Sequence, residues 1–166
     1  MTIIKFKKEN SSVESKHPAN AHVQKSFLHK SPDGVIYSSD RKTLIHCPKT
    51  FAGHFDVAQG VETIGIEAFA GCKQLLSLSI PESVRKICML AFAECKSLQQ
   101  ITLKSIQTIQ ISEDSFTGVD KTNCVIQIPA SVISDYKNDI HWMEFKDIVA
   151  LKEMIEFKVE NRKQVI

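Results

Sequence analysis

A 15-residue segment of this 166-residue chain occurs twice, at an offset of 23 residues. Residues 61–75 (VETIGIEAFAGCKQL) recur as residues 84–98 (VRKICMLAFAECKSL). Apart from one lysine, the shared positions hold only apolar or small side chains, and the other charges differ between the copies. Stacked repeats need their inward residues to recur while their outward residues vary, so this pattern predicts a solenoid. It names no ligand and no reaction.

Short runs of alternating apolar and polar residues accompany the repeat, which is typical of half-buried strands. A second apolar pair in each copy, Val61/Ile64 and Val84/Ile87, is predicted to form the return side of a coil. We therefore expect an α/β repeat, a short right-handed solenoid of about three coils with one short parallel strand per coil. The predicted strands are residues 54–57, 77–80, 100–103 and 125–128.

Both ends of the repeat carry patterns that predict caps. Two β-rich runs, 34–37 and 43–46, flank a polar loop and predict an N-terminal β-hairpin cap. Apolar residues every four positions over 131–148 predict a helix with Ser131 as its N-cap, which would form a C-terminal helical cap. A third, imperfect copy lies between them, with Ser115 in the alanine position and Val119 in the cysteine position.

Charge divides the chain into a basic arm and a nearly neutral body. Residues 1–30 carry six lysines and two glutamates, whereas the remainder has 15 basic and 17 acidic residues. We expect a polar basic arm or linker over 1–32, the repeat domain with its caps over 33–149, and an extension of uncertain structure over 150–166. Ile4 and Phe6 alternate with lysines and are compatible with a short edge strand. The slightly acidic body argues against a nucleic-acid partner.

The cysteines do not indicate the disulfide framework of an exported protein. The hydropathy does not indicate a membrane span. Five cysteines are an odd count without framework spacing. Stacking permits a Cys72–Cys95 disulfide, but buried free thiols are the preferred interpretation. No run of 18 apolar residues occurs, so no membrane insertion is expected. The N terminus lacks the apolar core of a signal peptide, which leaves the localisation open between a non-exported protein and a trimmed mature one.

The unit that runs from Leu75 to Cys95, Leu-x-x-Leu-x-Ile-Pro-x-Ser-Val-x-x-Ile-x-x-x-Ala-Phe-x-x-Cys, resembles the BspA-like leucine-rich repeat of Bacteroides-type surface proteins. The Asp33-Gly34-Val-Ile-Tyr hairpin and the 125–148 segment resemble the entry and closing units of that family. The resemblance covers about residues 33–149. Cys88 departs from the glycine that usually follows the isoleucine. The resemblance implies a leucine-rich-repeat fold, a cell-surface or secreted location, and a role in adhesion or protein binding.

Residues with catalytic or metal-binding chemistry do not form a recognisable motif. His17, His22 and His29 lack metal-ligand spacing, and His46-Cys47 is a lone pair at a strand end. Glu113-Asp114 with Asp120 would suit a cation, although a polar loop accounts for them as well. We therefore expect no enzyme activity, no cofactor and no resident metal.

The predicted binding surface is the outward side of the strands, because solenoids use such rows as extended interaction surfaces. Our first hypothesis is a non-catalytic module that binds a protein or a glycan through this strand face or through cap loops. The alternatives are a structural spacer within a larger surface protein and, third, a metal-dependent hydrolase. The candidate residues form one row of His54, Ser77, Gln100 and Val125, and a second row of Asp56, Ser79, Thr102 and Gln127.

Overall fold

The computed structural model describes residues 28–151, which form two sheets and one short α-helix. The five-stranded sheet, here the main sheet, has the order β4 (Ala52–Asp56), β6 (Gln74–Ile80), β8 (Gln100–Leu103), β10 (Val125–Ile128) and β11 (Asp147–Ala150). The six-stranded sheet, here the return sheet, has the order β1 (His29–Lys30), β2 (Ile36–Tyr37), β3 (Thr43–His46), β5 (Thr63–Ile64), β7 (Lys86–Ile87) and β9 (Gln110–Ile111).

From β3 to β10 the chain alternates between the two sheets, and each strand pairs in parallel with its equivalent in the next coil. The expectation of one strand per coil is therefore wrong, because the return side also forms strands. Ile64 and Ile87 are fully buried there and lie in register with each other and with Ile111. Burying this apolar row also buries the backbone that carries it. The buried backbone N–H and C=O groups then need hydrogen-bond partners, which the equivalent strands of the neighbouring coils supply.

A column of phenylalanine rings passes through the centre of the coils. The ring centroids of Phe69 and Phe92 lie 5.0 Å apart, those of Phe92 and Phe116 lie 5.1 Å apart, and both pairs are stacked. Phe55 and Phe145 meet the two ends of this column edge-on. Such pairs each add about 0.5–1.5 kcal/mol beyond the burial of their area. The column explains why Ala-Phe recurs at one offset in the sequence.

In the imperfect third copy a serine takes the place of the core alanine, and its buried hydroxyl has hydrogen-bond partners. Ser115 is buried in the alanine position, and its Oγ donates a hydrogen bond to the Cys88 carbonyl oxygen at 3.0 Å. The same Oγ accepts a bond from the backbone N–H of Ser112 at 3.0 Å. A buried hydroxyl with both partners carries little penalty, so the coil tolerates serine here.

The predicted hairpin forms, since β2 and β3 pair antiparallel, with Ile36 opposite His46. Before them, β1 pairs antiparallel with β2, which places His29 opposite Tyr37. His29 and Lys30, at the end of the segment expected to be a polar arm, thus form a strand of the return sheet. Residues Ile4 and Phe6 of the proposed edge strand lie outside the described residues.

The C-terminal helix is much shorter than predicted. Helix α1 spans Ile133–Asn138, with short 3-10 turns at Ala130–Val132 and Trp142–Glu144 on either side. Ser131, the predicted N-cap, lies inside the first 3-10 turn and caps neither that turn nor helix α1. The expected helix over 131–148 is wrong at its end, because Asp147–Ala150 form β11, which pairs in parallel with β10 and buries Ile148.

Candidate functional site: the strand face

The register of the main sheet brings the predicted binding residues into two straight rows. His54, Ser77, Gln100 and Val125 are successive Cα partners across β4, β6, β8 and β10. Their neighbours two positions on form the second row of Asp56, Ser79, Thr102 and Gln127. The side chains between the rows point inward, because strand residues alternate between the two faces of a sheet. These inward residues are buried: Phe55, Leu78, Ile101 and Ile126.

Strand β11 extends both rows by one residue that the sequence analysis missed. Asp147 pairs with Val125, and Val149 pairs with Gln127. These ten residues are called the strand face from here on. A signal for β11 was present, because Ile148 follows Ile126 by 22 residues, close to the repeat length of 23. The apparent helical spacing of residues 131–148 concealed it.

A polar cluster around His54 occupies the N-terminal end of the strand face. His54 Nδ1 lies 2.7 Å from Ser77 Oγ, and its Nε2 lies 3.2 Å from Ser79 Oγ and 3.3 Å from the Asp56 carboxylate. Hydrogen bonds from His54, and then from Ser79, hold the pKa of the Asp56 carboxyl below its usual range. Although serine, histidine and aspartate meet here, they lie on an open sheet whose strands pair on both sides of β6. The cluster therefore offers hydrogen-bonding groups on an exposed face of the main sheet.

A second polar cluster lies at the centre of the face and connects two strands. Gln100 Nε2 donates to Thr102 Oγ1 at 3.3 Å, and Thr102 Oγ1 donates to Gln127 Oε1 at 3.3 Å. These bonds orient the amide groups along the rows. Val125 and the exposed Val149 make the C-terminal end more apolar. The face thus changes from charged and polar at β4 to partly apolar at β11.

A shallow depression of about 650 Å³ borders the first row. Three of its lining residues, Ser77, Gln100 and Val125, are predicted site residues. Leu76 was missed, and it is 46% exposed despite its position within β6. A register irregularity between Gly53 and His54 of β4 accompanies this outward leucine, and strict alternation cannot anticipate such an irregularity. Two further lining residues, Gln99 and Asn123, also escaped the sequence analysis.

Four cysteines belong to the core, whereas Cys88 is partly exposed, and all five are free. Cys95 Sγ donates to the Phe69 carbonyl oxygen at 3.1 Å, and Cys72 Sγ donates to the Pro48 carbonyl oxygen at 3.6 Å. Burial raises the pKa of the thiols of Cys95 and Cys124 to about 12. These two thiols stay protonated at neutral pH and act as small buried groups, because the thiolate is the reactive form.

Acidic and histidine residues do not converge on a cation site within residues 28–151, where no group of three or more His, Cys, Asp or Glu side chains has metal-binding geometry. Asp120 instead accepts hydrogen bonds from Thr122 and Asn123 in its own turn, and these lower its pKa to about 2. His17 and His22 lie outside the described residues. Over the same described range, no helix has both the length and the apolar character needed to cross a membrane.

Comparison with known proteins identifies the class of this repeat. The family model described as the BspA type leucine rich repeat region matches residues 49–156, in six copies. The chain is therefore a leucine-rich-repeat protein, and it belongs to the BspA-type family, as the residues of the repeat predicted. No curated protein matches it.

The solved structures include a leucine rich cell surface protein from Faecalibacterium prausnitzii A2-165 that is similar to this chain. The two are 23% identical, with a TM-score of 0.43. The similarity covers 80% of this chain and 39% of that protein. This chain therefore corresponds to well under half of the other protein's length.

Proposed function

We propose that this chain is a non-catalytic interaction module that binds a protein or a glycan through its strand face or its cap loops. The observation that carries the proposal is the alignment of ten outward side chains in two rows across five strands. These rows differ in residue type from one strand to the next, whereas the inward residues repeat. Solenoids commonly recognise partners along such rows.

The chemistry of the strand face favours a polar ligand of low net charge. Half of its ten side chains are hydroxyls or amides, and its two carboxylates, Asp56 and Asp147, lie on the outermost strands. Hydroxyls and amides both donate and accept hydrogen bonds, so they suit sugar hydroxyls or a polypeptide loop. Leu76 and Val125 add an apolar contact beside the depression.

A pair of matched double variants tests this assignment. Thr102→Arg with Gln127→Arg adds two cations to the strand face. Thr63→Arg with Gln110→Arg adds the same charge to the return sheet, where both residues pair with Lys86. The three proteins are applied to panels of purified host and bacterial surface proteins and glycans. We expect the strand-face variant to lose at least about tenfold in affinity for a wild-type ligand, while the return-sheet variant retains it. Equal binding by both variants would remove the strand face from consideration.

We also propose an architecture and a cellular location for this chain. The coils form a right-handed solenoid of about three turns, because parallel crossovers adopt that hand. The β2–β3 hairpin caps one end, and the segment around α1 caps the other. The location that fits the family is the cell surface or the secreted fraction.

A structural spacer is the second candidate. It is favoured by β4 and β11, which each pair with only one strand among residues 28–151 and so leave outer sheet edges for further coils. The full native reading frame tests it, because many additional repeats on either side would support the spacer. A metal-dependent hydrolase is the third alternative, and metal analysis of the purified protein would test it.

A further inference from the structure

A second cavity, separate from the strand face, lies at the N-terminal end of the return sheet. Its volume is about 240 Å³, and it lies between the β1–β2 region, the β2–β3 loop and the turn after β4. We propose that this cavity binds a small sugar acid, with the ligand carboxylate on Arg41 and the ligand hydroxyls on the surrounding polar groups. The lining residues are His29, Ser31, Tyr37, Arg41, Ala58 and Gln59.

The Arg41 guanidinium is held in place but not neutralised. Its Nη2 lies 3.3 Å from His29 Nδ1. Because arginine can only donate, Nδ1 must accept, so the imidazole carries its hydrogen on Nε2 and presents a further donor. Arg41 has no ion pair within 4.0 Å to any carboxylate in the described part of the chain. The remaining N–H groups of its planar fork are suited to two parallel bonds to a carboxylate.

The acidic residues near the cavity are engaged by other partners. Asp33 accepts a hydrogen bond from Ser31 Oγ. Asp40 accepts from Ser38 Oγ at 2.5 Å and from the backbone N–H of Lys42 at 3.0 Å. Glu62 pairs with Lys42 Nζ at 2.7 Å. None of these carboxylates lies within 4.0 Å of the Arg41 guanidinium, so a ligand carboxylate can reach its remaining N–H groups directly.

Tyr37 adds a hydroxyl and an aromatic surface. Its side chain is 8% exposed, and its hydroxyl makes no hydrogen bond to a described residue. The Tyr37 and His29 rings lie 6.3 Å apart at 43°. With Gln59 and Ser31 alongside, the cavity combines an aromatic wall with hydroxyl and amide groups, the chemistry that binds sugar rings.

Size restricts the ligand to about one ring. Pockets for drug-sized molecules usually occupy about 300–1,000 Å³, and this cavity is smaller. A hexuronic acid unit combines one carboxylate, several hydroxyls and an apolar ring face. Arg41 lies in the loop of the β2–β3 cap, so this site makes the cap-loop part of the proposed function specific and rests on it. It shares no residue with the strand face, so the strand-face variants test a separate surface.

Nuclear magnetic resonance of the ¹⁵N-labelled full chain tests the proposal, with sodium glucuronate as the probe. Glucose controls for the hydroxyls and sodium acetate for the carboxylate. The variant is Arg41→Gln, and the matched control is Arg85→Gln, an exposed arginine whose guanidinium bonds to the Glu82 carbonyl oxygen outside the cavity.

We expect saturable shifts of the amide signals of residues 37–42 and 58–59 with glucuronate, and at least tenfold weaker binding of glucose and of acetate. Arg41→Gln should weaken glucuronate binding at least tenfold, and Arg85→Gln should leave it unchanged. The proposal is overturned if glucuronate gives no saturable shift or if acetate binds equally well. It is equally overturned if both arginine variants behave alike.

Discussion

The inward and outward sides of the main-sheet strands differ in the kinds of residue that they hold. Inward positions hold Phe55, Leu78, Ile101 and Ile126, which are all buried apolar side chains. The outward positions just before them hold His54, Ser77, Gln100 and Val125, which share no chemical type. Each coil packs on the previous one, so an inward change disturbs two neighbours, whereas an outward change meets solvent. The comparison indicates that the repeating residues specify the fold, and the proposed function assigns recognition to the residues that vary.

The largest effect is expected at the centre of the inward side. Phe92→Ala should lower the free energy of unfolding by about 3–5 kcal/mol, because it empties the middle of the ring column between Phe69 and Phe116. Urea denaturation followed by circular dichroism measures it. Phe51→Ala, at a partly buried ring outside the stacked trio, should cost less. A loss under about 1 kcal/mol for Phe92→Ala would refute the coil register.

A smaller loss of stability is expected when a hydrogen bond between the C-terminal segment and the preceding coil is removed. The Tyr136 hydroxyl accepts a hydrogen bond from the buried backbone N–H of Ile109 at 3.1 Å. Tyr136→Phe should cost about 2 kcal/mol, because it leaves that donor unpaired. Tyr37→Phe removes a hydroxyl that bonds to no described residue, so it should be nearly neutral in the same denaturation experiment. Equal effects of the two substitutions would contradict the role given to Tyr136.

Two equivalent positions of the repeat should respond differently to alanine. A Cβ at Gly65 would lie 2.9 Å from the Leu44 carbonyl oxygen, so Gly65→Ala should cost about 1–2 kcal/mol. Cys88 occupies the same place in the next coil and already carries a Cβ, so Cys88→Ala should cost less. Thermal unfolding of both variants measures the difference. A tolerated alanine at Gly65 would show that the hairpin strand is not packed as described.

A small gain is expected from relieving backbone strain. Glu94 has a φ of 58°, whereas the equivalent residue in the previous coil is Gly71, with a φ of 75°. Glu94→Gly should raise the free energy of unfolding by about 0.5 kcal/mol, because glycine adopts this left-handed conformation without steric cost. Glu82→Gly is the control at a residue without positive φ, and it should be destabilising. Destabilisation of similar size in both variants would show that Glu94 stores no strain.

The repeating part of the molecule could be predicted from the sequence, and the non-repeating part could not. Phe69 and Phe92 recur at one offset because stacked coils demand equal volumes, and the four predicted strands overlap β4, β6, β8 and β10. The second strand of each coil was missed, because the two-residue segments β5 and β7 are too short to show alternation.

The C-terminal segment misled the prediction because its spacing imitated a helix. Val132, Tyr136 and Ile140 are the apolar residues spaced every four positions, yet Ile140 is 71% exposed. The helix ends at Asn138, and the Asp139 carboxylate accepts bonds from the backbone N–H groups of His141 and Trp142, which start the next turn. The Arg41 cavity was equally hidden, because it joins residues from three separate segments.

The central claim is that the inward residues determine stability and the outward residues do not. Its most direct test is the free energy of unfolding of the double variant Thr102→Arg with Gln127→Arg. If the outward rows carry recognition and not the fold, the free energy of unfolding should stay within about 0.5 kcal/mol of the wild-type value, while ligand binding is lost. Urea denaturation of the variant beside the wild type measures it. A fall of more than about 1 kcal/mol would show that the outward rows help to hold the coils together, and would contradict the account.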